Sequence, residues 1–252
     1  MKNIINWKIF FILLSLVMIS ILCIFPYVFS IQGELLNKIG QPIETIFIAQ
    51  FVQSLILFSV VIFFGLFLAK KLNFQLPLIE AILEKKDYKM VLKKILGKSI
   101  FLGIIVAVVI YVLDVFFIIQ GTVISTHQNY APIWQKLLAA VYGGVAEEIL
   151  MRLFLMMLFV WINVKLFKQA EPSKIGIMLS IFLTAIIFGL GHLPLTASMI
   201  TITPIVIMRA IILNGIGGIV FGWLFWKKGL ESAIIAHFTA DVFLLTLLPF
   251  LF

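Results

Sequence analysis

Six side chains of this 252-residue chain have types and spacings suited to hydrolytic chemistry. Glu147, Glu148 and Arg152 lie in one apolar run, His192 closes the next, and His237 and Asp241 lie in the last. An ionisable side chain in hydrocarbon costs ~2.5–3.5 kcal/mol on insertion scales, so each of these needs a partner or a task. Glu148 and Arg152 are four residues apart with the glutamate on the N-terminal side, the better order for a helical ion pair. Glu147 is turned about 100° away from Glu148 around a helix. One carboxylate can then be held by Arg152 while the other faces a different neighbour. His237 and Asp241 are also four apart and share a helix face. A carboxylate taken out of water becomes a stronger base and could activate water. Glu147, His192, His237 and Asp241 could instead ligate a divalent metal such as zinc, or relay protons or ions in a transporter. A polar network that only locks helix packing is the remaining reading. The chain has no HExxH, the strong zinc signature, so a metal is allowed but not demanded. Asp114 and Arg209 are read as packing residues that pair with each other or sit near an interface.

The elements that must position these groups are membrane spans. Hydrophobic residues make up 63% of the chain, mean hydropathy is +1.21, and soluble domains average about 45–50% apolar. Seven runs, at 9–30, 43–69, 99–120, 137–162, 175–195, 204–226 and 231–251, each approach the ~20 residues needed to cross. The fold expected is therefore an all-α polytopic bundle. The first run is longer than a signal-peptide core and lacks a small-x-small cleavage site, so it reads as a retained span. Residues 70–98 mix lysine with Ile79, Ile82, Leu83, Met90, Val91 and Ile95 at helical spacing, which predicts an amphipathic helix on the cytoplasmic membrane surface.

The net charge of +8 does not point to nucleic acid, because the lysines cluster between apolar runs. With the N-terminus inside, fifteen of the seventeen lysines fall on the cytoplasmic side and only Lys38 and Lys136 on the other, a strong positive-inside bias. The lysine-, isoleucine- and phenylalanine-rich composition fits an AT-rich bacterium, so the expected location is a bacterial cell membrane. The single cysteine, Cys23, excludes an intrachain disulfide. Gly218 and Gly222 form a small-xxx-small pair for close helix contact.

Three stretches carry a resemblance: Ala146-Glu147-Glu148-Ile149-Leu150-Met151-Arg152, Phe188-Gly189-Leu190-Gly191-His192 and His237-Phe238-Thr239-Ala240-Asp241. They resemble the EExxxR, FxxxH and HxxxN/D motifs of the CPBP family, the CAAX-protease and bacteriocin-processing intramembrane peptidases also called Abi proteins. The turn at Lys227-Lys228-Gly229 adds to the third block. The resemblance spans roughly residues 136–248, so 136–252 is read as the catalytic core and 1–135 as N-terminal spans plus the surface helix.

The resemblance implies that Glu147 is the general base, that His192 helps hold the attacking water, that Glu148 and Arg152 are the supporting ion pair, and that His237 and Asp241 face the peptide carbonyl. Phe188 opens the second motif. Family members with Asn at the last position have a hydrogen-bond donor there; an ionised Asp has none. Asp241 then orients and charges His237, or ligates a metal, as the family's usual description as metalloproteases implies. The implied substrate is a membrane-associated or hydrophobic peptide, reached through a polar cavity among spans four, five and seven, with a role in pheromone or bacteriocin maturation or in self-immunity. The alternative is a non-catalytic scaffold or regulator of the same fold that binds a membrane partner. A transporter is disfavoured, since no internal repeat is visible. With His192 late in its span and His237 early in the last one, a shared site requires tilted helices or shifted boundaries.

Overall fold

Apolar runs of this length must form helices in a bilayer, because only a helix satisfies its own backbone hydrogen bonds away from water. The computed structural model describes residues 5–38, 40–119 and 131–247, and every regular element among them is helical. Among the described residues seven helices have the length and hydropathy of membrane spans, as expected. They are α1 (Trp7–Lys38), α2 (Ile43–Lys71), α4 (Tyr88–Ile119), α5 (Ile133–Leu166), α6 (Lys174–Gly191), α8 (Pro204–Lys228) and α9 (Leu230–Leu247). Two short helices, α3 (Pro77–Leu83) and α7 (Leu193–Ala197), lie between spans. Lys2, residue 120 of the expected third span and residues 248–251 of the expected seventh lie outside the described residues.

The single surface helix expected over 70–98 is not what forms. Residues 77–83 make the seven-residue α3, and residues 88–98 are the first turns of the 32-residue α4. The spacing of Met90, Val91 and Ile95 was helical for a different reason: a spanning helix starts eleven residues early and carries Lys89, Lys93, Lys94 and Lys98 beyond its most apolar stretch. Glu231, at the start of α9, ties α3 down. Its Oε1 accepts the backbone N–H groups of Leu78 and Ile79 at 3.0 and 2.9 Å.

The described lysines of the crowded side gather at one end of the bundle. They sit at the start of α1, the end of α2, the start of α4, the end of α5, the start of α6 and the end of α8. Lys38 is at the opposite end. Lys136, expected in a flanking segment, lies inside α5 and is only 7% exposed. At the lysine-rich end α8 passes to α9 through Gly229 alone, at φ 93°, a left-handed conformation that favours glycine.

Between spans there is little hydrophobic driving force, so association depends on close packing. Gly218 of α8 sits against Ala185 of α6; a Cβ there would lie 2.8 Å from the Ala185 Cβ. One turn on, a Cβ on Gly222 would lie 3.0 Å from Ile181 Cγ2. The small-residue pair read from the sequence thus marks the α6–α8 contact. Gly218→Val should force these helices apart at a cost of about 1–3 kcal/mol, the usual range for overpacking. A lowered thermal midpoint of the detergent-solubilised protein checks this.

Candidate active site

The site is built around α5, whose backbone is irregular where it carries the glutamates. After an α-helical start (Ile133–Tyr142) it widens into π-type turns at Gly143–Glu147 and Ile149–Met156, then returns to α-helix from Met157. Such widened turns recur at functional positions because they re-aim side chains. Here they help send two adjacent glutamates into different surroundings.

Glu148 points into the protein and is fully buried, as is Arg152. Arg152 Nε donates to Glu148 Oε2 at 3.1 Å, and Nη2 to Oε1 at 3.5 Å. Glu148 Oε1 also accepts from His237 Nδ1 at 2.9 Å. This second contact was not legible in the sequence, since 89 residues separate the partners. The Arg152 guanidinium lies 5.7 Å from the centre of the Phe188 ring, a cation–π distance.

Glu147 faces a cavity of about 580 Å³ whose lining includes Phe188, His192, His237 and Asp241. Its Oε2 is 3.8 Å from His237 Nε2, and Asp241 Oδ2 is 3.6 Å from the same nitrogen. With Nδ1 given to Glu148, the imidazole presents Nε2 to two cavity carboxylates. Phe221 stacks on the His237 ring at 4.7 Å and 20°, fixing its plane. Phe188 stands edge-on to both imidazoles, with centroids 4.8 Å from His192 and 5.8 Å from His237. Both histidines line one cavity, as a shared site requires. His192 Nδ1 is 2.8 Å from the Phe188 carbonyl oxygen, so Nδ1–H donates and Nε2 is left for other partners. No hydrogen bond or ion pair joins His192 to Glu147 among the described residues. Asp114 and Arg209 pair with each other at 2.6 Å, apart from this cluster.

Two features escaped sequence reasoning. The N-terminal half, which matches no motif, supplies much of the cavity wall through Tyr27, Gln32 and Gln50. Gly143 has a packing role: a Cβ there would collide with the Asp241 carboxylate and come within 3.3 Å of His237 Nε2.

One nitrogen of each histidine is committed, to Glu148 and to the Phe188 carbonyl, and each Nε2 is left on the cavity side. Among the described residues no three of His, Cys, Asp and Glu are placed to hold a metal ion.

A water-accessible carboxylate beside an oriented imidazole, enclosed by spanning helices, defines a candidate intramembrane hydrolase. Residues 129–243 match the family model described as type II CAAX prenyl endopeptidase Rce1-like. That segment, a little under half of the chain, is similar to the CPBP (CAAX) proteases, a likeness that supports a CAAX-type intramembrane endopeptidase in general. No curated protein and no solved structure matches the chain.

Gly143→Ala should displace Asp241 and His237 while leaving the Glu148–Arg152 pair in place. A misplacement of about 1 Å can cost about 10²-fold in rate. Peptide cleavage should fall by that order with expression unchanged.

Proposed function

We propose that the protein hydrolyses a peptide bond of a membrane-associated or hydrophobic peptide, using a water activated by Glu147. The observation that carries this reading is the different fate of two adjacent carboxylates. Glu148 is saturated by Arg152 and His237, whereas Glu147 opens onto the cavity, its side chain 24% exposed.

Glu147 takes a proton from the water as its oxygen bonds to the peptide carbonyl carbon. The C–N bond then breaks, and the proton passes from Glu147 to the departing amine. Negative charge on the carbonyl oxygen needs a donor, and Asp241 cannot serve while ionised. His237 is the better placed group. Glu148 orients it through Nδ1, which leaves Nε2 facing the cavity between the carboxylates of Glu147 and Asp241. A preorganised donor of this kind contributes strongly in a site that excludes bulk water. His192, its tautomer set by the Phe188 carbonyl, helps hold the water with Nε2. No metal enters any of these steps.

Maturation of a secreted peptide, or self-immunity, is the physiological setting the CPBP resemblance favours. The test is cleavage of a membrane peptide by the purified protein and by Glu147→Gln, with and without chelator. Glu147→Gln should lower the rate by at least ~10²-fold, the lower bound for losing a general base, and chelator should leave the wild-type rate unchanged. Equal cleavage by both proteins would remove Glu147 as the base. Cleavage by neither, with an unchanged cellular phenotype of the mutant, would favour a membrane scaffold.

A further inference from the structure

The cavity occupies one half of every span that lines it. In α1 it takes residues from Ile21 to Leu36, in α2 from Ile46 to Ser54, and in α5 from Ala139 to Glu147. In α6 it takes the last turn, in α8 Asn214, and in α9 residues from His237 to Leu245. Each of these stretches lies away from the lysine-rich end of its helix. Toward the lysine-rich end the bundle is packed dry: Leu13, Ile62, Leu153, Met156, Leu224 and Leu230 are all fully buried. Two other cavities open at that end, lined in part by Lys70 and Lys227, and neither shares a lining residue with the site.

Lysine-rich loops face the cytoplasm. From the cavity's position and the buried layer beneath it, we infer that the catalytic site opens only to the extracytoplasmic side, where it takes an apolar, non-acidic, extended peptide segment. The peptide chemistry follows from the lining. Among the described residues no lysine or arginine lines the cavity, and its carboxylates, Glu147 and Asp241, disfavour acidic peptide. Most of the wall is apolar. An extended backbone inside a lipid-enclosed space must still find hydrogen-bond partners. The amides of Gln32, Gln50 and Asn214 in the lining offer both donors and acceptors. Asn214 Nδ2 is committed to the Ala210 carbonyl at 2.9 Å, which leaves its Oδ1 to accept a peptide N–H.

The word substrate here rests on the peptidase reading, but the sidedness does not, and the test separates them. Cys23 is the chain's single cysteine, so Cys23→Ser gives a clean background for Gln50→Cys in the cavity wall and Lys228→Cys at the lysine-rich end. A charged, membrane-impermeant maleimide is applied to right-side-out and inside-out vesicles. Gln50→Cys should label in right-side-out vesicles and Lys228→Cys in inside-out ones. A capped apolar decapeptide should slow Gln50→Cys labelling several-fold, and a decapeptide rich in aspartate should not. Adding Glu147→Gln should leave both patterns intact, even if no cleavage is ever detected. Labelling of Gln50→Cys only in inside-out vesicles would overturn the sidedness. Equal protection by both peptides, or by neither, would overturn the ligand assignment.

Discussion

A carboxylate inside a bilayer has no water to lean on and must find its donors within the protein. Glu148 finds two, and much of the site follows from them. Arg152 comes from the same helix one turn on, and His237 comes from α9. Because both Glu148 and Arg152 are fully buried, removing one would strand the other, which makes the arrangement hard to rearrange. The bond to His237 fixes which nitrogen faces inward, and the Phe221 stack fixes the plane of the ring. The imidazole therefore reaches the cavity already oriented.

The second glutamate is left for chemistry by the same geometry. Adjacent helical residues diverge around the axis, and widened turns on either side of Glu148 accompany that divergence. Glu147 can then share an environment with Asp241 and His237 without competing for Arg152. Gly143 keeps the backbone clear on the facing turn. The Phe188 ring joins the parts: it lies near the guanidinium and edge-on to both imidazoles. One aromatic side chain thus connects groups carried by α5, α6 and α9.

The seven spans were legible because a bilayer imposes a length on apolar runs that nothing else in the chain mimics. The Glu148–Arg152 pair was legible from i,i+4 spacing, and the Gly218–Gly222 contact from small residues one turn apart. The Asp114–Arg209 pair had been one of two open readings. The segment 70–98 was misread because a spanning helix that projects past the membrane carries the same mixture of lysine and apolar residues as a surface helix. The Glu148–His237 bond, the Phe221 stack and the cavity wall from α1 and α2 depend on tertiary contacts between distant segments, which periodicity does not encode. The widened turns of α5 likewise leave no mark in hydropathy.

The central claim is that two neighbouring glutamates divide structural and chemical work. Thermal unfolding of the purified Glu147→Gln and Glu148→Gln proteins, side by side in the same detergent, tests it most directly. Glu148→Gln leaves Arg152 buried without its counter-charge and should lose about 3–5 kcal/mol, the range for breaking a buried pair. Glu147→Gln should melt close to the wild type, since its carboxylate faces the cavity. Equal losses, or a larger loss for Glu147→Gln, would contradict the division and with it the assignment of Glu147 as the free base.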